Sequence, residues 1–333
     1  MGKKTYKGEM ARELIAQFPT VSTTLLAKML HDRHPLDFPS LDAARSMVRH
    51  QRNEKKDRVI KDPVGERTPE QIKAAQGWAG IPKTDYKECE PFIMPKGNNR
   101  LLVLSDIHLP YHDEQALQIA IDWAIEKKPN AIILNGDTMD MYQASRYVKD
   151  RRLRDLNGEI EMTRDFLKSL RELFDCPVYF KVGNHEVRYE NYLKSVAPEL
   201  LGIADFELRS ILRFGELGVT EIKDKQIIKA GNLNIMHGHE FGHSVFSPVN
   251  AARGLYMRAK ANAIIGHHHQ TSEHSEKDLK GDIVTTWSMG CLCGLAPEYY
   301  PYNKWNHGFA WVEFKENGDF EVQNKRIING KVR

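Results

Sequence analysis

Near the start of the chain, apolar residues recur at helical spacing. Met10, Ala11, Leu14, Ile15 and Phe18 predict one helix. Leu25, Leu26, Met29 and Leu30 predict a second, which Ser22 can cap, and a third is expected after Pro39-Ser40, burying Leu41, Ala44 and Val48. Residues 1–60 thus read as a small helical module. Over 61–97 the periodicity breaks at Pro63, Pro69, Pro82, Pro91 and Pro95 and at Gly65, Gly77, Gly80 and Gly97, which predicts a linker or a wrapping arm. From 98 to 333 the pattern becomes strands alternating with helices. RLLVLSD, AIILNGD, PVYFKVGNHE, NLNIMHGHE and NAIIGHHH each contain an apolar strand, while Leu117, Ala120, Ile121 and Ala124, then Thr163, Phe166, Leu167, Leu170 and Phe174, mark helices. At the end DIVTTWSMG, FAWVEF and DFEVQN are strands without helices between them, with Asn317-Gly318 as a hairpin turn. The layout predicts an α/β domain of two packed mixed sheets flanked by helices.

Composition adds little to this picture and charge somewhat more. No apolar run is long enough for a membrane span, and MGKKTYKGEMARELIAQF lacks the apolar core of a secretory signal. Cys89, Cys176, Cys291 and Cys293 are too few for a disulfide framework and point to a reducing cytoplasm; Cys291-x-Cys293 lacks the two-residue spacer of zinc and redox pairs and reads as two buried thiols. The net charge of +3 is unevenly spread: residues 1–62 hold 13 Lys and Arg against 8 Asp and Glu, the remainder 35 against 37. On the third helix Arg45, Arg49 and Arg52, with Lys56 a turn later, form a basic stripe suited to the phosphates of DNA or RNA, to a protein partner, or to water.

The chemistry sits at the strand ends. Asp106 and His108 follow the first strand, Asp137 the second, Asn184 and His185 the third, His237 the fourth, and His267 and His269 the fifth. A lone D-x-H or G-D is noise; five such fragments, in order and all where apolar strands run out, belong to one crevice. His267 and His269 are expected on one side of an extended strand end and His268 on the other. Here the chain resembles the calcineurin-like metallophosphoesterases, whose motif order is D-x-H, G-D-x-x-D, G-N-H-[DE], a histidine before glycine, then G-H-x-H; the match covers roughly residues 100–290. GDTMDMYQASRY, GNHEVRYENYL and KWNHGFA look similar to a bacteriophage and prophage branch.

The resemblance implies a four-layer αββα sandwich and two divalent cations. One would take Asp106, His108, Asp137 and His269, the other Asp137, Asn184, His237 and His267, with Asp137 shared. Mixed carboxylate, amide and imidazole donors suit Mn²⁺ first, with Fe²⁺, Zn²⁺ or Mg²⁺ as alternatives. Such a pair activates water and clamps a phosphoryl oxygen. His185 would protonate the leaving oxygen, oriented by Asp140, for which a helix-start carboxylate is the rival account. Where the serine/threonine phosphatase branch has arginine after this acid, the chain has Met141, so Arg146 or Arg188 would supply the positive charge to substrate. The function implied is phosphoester hydrolysis, leaning to diesters or nucleic acid. Its rivals are a phosphomonoesterase acting on nucleotides or proteins, and a binding scaffold with a residual phosphoesterase fold. His239, His243, His274 and His307 are expected at the surface, and Tyr299, Tyr300, Tyr302 and Trp305 in packing.

Overall fold

The computed structural model describes residues 6–54, 68–76, 82–146, 155–242 and 249–333; Lys56, Pro63, Gly65, Gly77, Gly80 and His243 lie outside the described residues. The chain divides into two compact units, Met1–Tyr86 and Lys87–Arg333.

In the first unit α1 (Tyr6–Gln17), α2 (Thr23–Arg33) and α3 (Leu41–Glu54) share a core of Ala11, Leu14, Leu26, Leu30, Phe38, Ala44 and Val48. Ser22 caps α2, its hydroxyl accepting from Leu25 N at 3.3 Å. Leu41 departs from the expected pattern: as the first residue of α3 it is 41% exposed. A further helix, α4 (Pro69–Gln76), lies in the stretch expected to be linker or arm.

The second unit begins with β1 (Phe92–Ile93), β2 (Arg100–Leu104), α5 (Glu114–Lys127), β3 (Ala131–Asn135), α6 (Leu156–Leu173), β4 (Val178–Lys181) and α7 (Val187–Val196). Two single turns, α8 (Leu208–Ile211) and α9 (Phe214–Leu217), lead to β5 (Val219–Ile222), β6 (Ile228–Ala230), β7 (Leu233–Ile235), α10 (Ala251–Ala259) and β8 (Ala263–Ile265). The chain closes with β9 (Ser272–Lys277), β10 (Ile283–Ser288), β11 (Gly308–Phe314), β12 (Phe320–Ile328) and β13 (Lys331–Val332).

These strands form two mixed sheets, β13-β12-β11-β2-β3-β4-β5 and β1-β6-β7-β8-β10-β9. Alternation along β2 shows how they stack. Leu101 and Val103 face a core shared with Ile228, Ile235, Ile264 and Met289 of the other sheet, whereas Leu102 and Leu104 pack on Ala120 and Ala124 of α5 and Leu167 and Leu170 of α6. On the outer face of the second sheet, Leu255 of α10 joins Met236, Ala263 and Ile265. Helix, sheet, sheet and helix are thus layered, each fully buried Leu or Ile contributing about 2 kcal/mol of apolar burial. No helix among the described residues is long and apolar enough to cross a membrane.

Candidate metal centre

β2, β3 and β4 are parallel, so their C-terminal ends share an edge; β7 and β8 are parallel in the other sheet. The residues beyond these five ends meet, through turns rather than extended chain. Asp106, His108, Asp137, His267 and His269 have φ between 51° and 63°, left-handed backbone that costs a non-glycine residue about 1 kcal/mol or more, although Asp and His tolerate it better than most. The strand-like alternation expected of the triple histidine is therefore absent. His267 and His269 serve different neighbours. The His267 ring lies 5.1 Å from that of His237, whereas His269 Nε2 lies 3.1 Å from Asp106 Oδ1 and 3.2 Å from His108 Nε2. His268 belongs to none of the close donor groups among the described residues. A side chain at Gly266 would collide with Ser105 and the Asp106 carboxylate, and one at Gly183 with Asp137; the loops approach this closely because both positions are glycine.

Asp137, 2% exposed, is the hub. Its Oδ2 lies 3.2 Å from His237 Nε2, 3.7 Å from His185 Nε2 and 4.0 Å from His108 Nε2, and its Oδ1 accepts from His185 N at 2.9 Å. Asn184 Oδ1 is 3.1 Å from His237 Nε2. His237 donates its Nδ1–H to Asn135 O at 2.8 Å, which leaves Nε2 to face the cluster. Burial would lower the pKa of both His237 and His269, but Asp137 raises the first and Asp106 the second, each to about 10. Burial and the His237 charge instead push His267 down to about 3.

Among the described residues, three sets of donor atoms fall within 4.8 Å of one another: Asp137, His237 and His267; His108, Asp137 and His185; and His108, His269 and Cys293. Two buried carboxylates, an amide oxygen and imidazole nitrogens facing each other at 3.2 Å are a donor set that a divalent cation fits, since its charge would match Asp106 and Asp137 and relieve the opposed nitrogens.

Beside this cluster stands a second arrangement. Asp140 Oδ1 is 3.0 Å from His108 Nδ1 and 3.2 Å from His185 Nδ1, and Asp140 O accepts from His185 Nδ1–H and from Arg188, each at 2.8 Å. Burial opposes ionisation, but the two histidines hold its carboxyl well below the usual range. The turn that follows, Tyr142–Ala144, carries no side-chain cap. The other Arg188 nitrogen donates to His185 Nε2 at 2.8 Å. Arg146 is exposed at the edge of the undescribed stretch 147–154.

The family model for calcineurin-like phosphoesterases matches residues 99–289. The chain belongs to that family. As a calcineurin-like phosphoesterase it is a hydrolase acting on phosphoester bonds, with a divalent-metal centre in its His and Asp clusters. It is 29% identical over 225 residues to the gene 54 protein of Mycobacterium phage L5, covering 64% of this chain and 88% of that protein. With the gene 54 protein of Mycobacterium phage D29 it shares 31% over 234 residues, 66% and 91% of the two chains; both matches agree with the phage branch that the motifs resemble. Among solved structures it is similar to vacuolar protein sorting 29 from Cryptosporidium parvum, at 14% identity and a TM-score of 0.39 over 71% of this chain and 94% of the other.

Several residues that hold the phosphoesterase centre were not singled out by the motifs. Glu186, 1% exposed, accepts from Asp137 N at 3.0 Å, Met139 N at 3.0 Å and Gly183 N at 2.8 Å; its presence in GNHE was the available signal. Lys181, fully buried, pairs with Glu240 Oε1 at 3.0 Å, and Glu240 in turn accepts from His237 N and Gly238 N. Cys293, buried as expected, sets its thiol 3.8 Å from His269 Nδ1. Of the histidines expected at the surface, the three that are described are half-buried instead: His239 meets Asp224 at 2.6 Å, His307 donates to Cys293 O at 3.0 Å, and His274 meets Glu276 at 2.9 Å.

Proposed function

We propose that the chain is a two-metal phosphoesterase favouring phosphodiesters, with Asp106, His108, Asp137 and His269 holding one cation and Asp137, Asn184, His237 and His267 the other. The observation that carries this is the position of the Asp137 carboxylate between His108 and His237. Mn²⁺, or Fe²⁺, Zn²⁺ or Mg²⁺, would supply Lewis acidity toward the phosphoryl oxygens and lower the pKa of water. The rest falls to the side chains. Asp140 fixes the ring of His185, whose Nε2 faces the cluster and delivers a proton to the leaving oxygen once protonated. Arg188 now donates to that nitrogen; drawn onto a phosphoryl oxygen, it would free Nε2 for the transfer. A diester carries one negative charge, and this one guanidinium, partly committed to Asp140, suits it better than a dianionic monoester. The free thiols fit work in a reducing compartment such as the cytoplasm.

The arginines of α3 support the nucleic-acid extension less well. Arg49 is exposed, but Arg45 lies 3.7 Å from Asp42, and the Arg52 guanidinium donates to Val21 O and, at 2.6 Å, to Thr23 Oγ1. Protein loaded with each cation, assayed on bis-p-nitrophenyl phosphate, p-nitrophenyl phosphate and single- and double-stranded DNA and RNA, tests the proposal. Chelator-sensitive turnover, faster on the diester, is expected; no turnover with any cation would overturn the assignment.

A further inference from the structure

The turn that carries His237 follows β7 in one sheet and is moored to the other at two adjacent points. On β3, Asn135 Nδ2 donates to Met236 O at 2.7 Å, and the Asn135 carbonyl accepts the His237 Nδ1–H at 2.8 Å. On β4, Lys181 stands directly across the ladder from Asn135. Its ammonium meets Glu240 Oε1 at 3.0 Å, and that carboxylate accepts from His237 N at 3.0 Å and from Gly238 N at 2.6 Å. Asn135 therefore holds the His237 ring, and Lys181 holds the His237 backbone through Glu240. Between them the chain turns at Gly238, where φ is 129° and a Cβ would meet that of His267 at 3.0 Å.

Lys181 is fully buried, and besides Glu240 its Nζ has Val182 O at 3.5 Å and Lys223 O at 3.4 Å. An ammonium so enclosed does not reach a substrate. Nor is a buried ion pair a good source of stability, since well-packed apolar residues of similar volume often serve as well or better. What this pair supplies is position. Lys181 precedes Asn184 on the chain leaving β4, Glu240 follows His237 on the chain leaving β7, and Asn184 Oδ1 faces His237 Nε2 at 3.1 Å.

We infer that Lys181 and Glu240 are positioning residues for the second cation, fixing the gap across which Asn184 and His237 meet from the two sheets. The first cation draws on Asp106 and His108, which follow β2, and on His269, which lies against both; the ion pair bonds to none of these three. Its loss should therefore be felt at one cation and not at the other. The inference rests on the two-cation proposal and extends it to residues that touch neither cation nor substrate.

Calorimetric titration of the metal-free, full-length protein with Mn²⁺ tests it. The parent is expected to show two binding events, and His237→Ala marks the second cation by removing one of them. Glu240→Gln and Lys181→Met should each weaken that same event by about ten-fold or more, the usual cost of losing a group that orients a metal ligand, and leave the other unchanged. The double variant Lys181→Met/Glu240→Gln leaves no buried charge alone, so it guards against a single variant that fails to fold, and it should show the same selective loss. A pair that served only the fold would not produce this split. Both events kept at parental strength in the double variant, or both weakened equally, would overturn the inference. If the parent meanwhile binds two cations and hydrolyses bis-p-nitrophenyl phosphate, the two-cation proposal survives that result; a parent that binds fewer than two cations would overturn both.

Discussion

Asp137 and Arg49 are both charged, and they work under opposite constraints. Asp137, 2% exposed, meets His237, His185 and His108 through one oxygen and the His185 backbone through the other. Arg49 stands in water on α3, one turn from an Arg52 already bound within its own unit. In the first setting a charge has the value its fixed partners give it, and removing it leaves them buried and uncompensated. In the second, solvent and salt screen whatever the side chain does.

The sharpest test of that contrast is Asp137→Ala. If both cations depend on this carboxylate, elemental analysis should show metal lost from both sites and turnover should fall by about 10³ or more, several kcal/mol of transition-state stabilisation. Retained metal with activity untouched would break the comparison on its buried side. His185→Asn should keep the metals and cost about 10² in turnover, with a smaller loss for nitrophenolate leaving groups that need no proton. Equal losses for good and poor leaving groups would take His185 out of the acid role. Asp140→Asn is expected to do both things more weakly, lowering metal affinity through His108 by about ten-fold as well as turnover through His185.

A further test reads stability. Burial lifts the Glu159 carboxyl from 4.5 to about 8, with Asp140 and Glu186 adding to the rise. It is therefore protonated in the folded protein and ionised in the unfolded one between those values, and stability should fall as pH climbs through that window, by up to a few kcal/mol. Glu159→Gln, which can still accept from Met141 N, should flatten the slope in denaturant titrations at pH 5 to 8; an unchanged slope would assign the dependence elsewhere. The smallest effects belong to the solvated side. Replacing Arg45 and Arg49 by Ala should change the slope of log affinity for nucleic acid against log salt by no more than about two phosphate contacts, and a larger change would mean that other basic residues act with them. His268→Ala should leave metal content unchanged, while His267→Ala and His269→Ala lower it.

The parts of the molecule legible in the sequence share a cause. Asp106, Asp137 and His237 could be placed because each ends an apolar strand, and periodicity locates strand ends well in buried sheets. β9 was missed because its six residues, SEHSEK, are almost all polar and pair along only one side. Lys181 reads as one polar interruption in a strand; that it is fully buried against Glu240 follows only once the loop after β7 folds over it. The left-handed backbone at Asp106, His108 and His269 was equally hidden, because those residues enter that region only where tertiary contacts hold them. Of the aromatic run, Trp305 packs on His269 as expected, whereas Tyr299 and Tyr302 depart in the opposite sense, since hydrophobicity predicts burial and cannot register two tyrosines held out in water.

Glu186 accepts the amide hydrogens of Asp137, Met139 and Gly183 with a single carboxylate. Those hydrogens come from two separate turns of backbone, and none can trade with solvent deuterium until the same side chain lets go. Exchange at the three positions should therefore share one opening rate, so that the turns carrying Asp137 and Asn184 breathe together and the native ensemble holds few molecules with only one of them released.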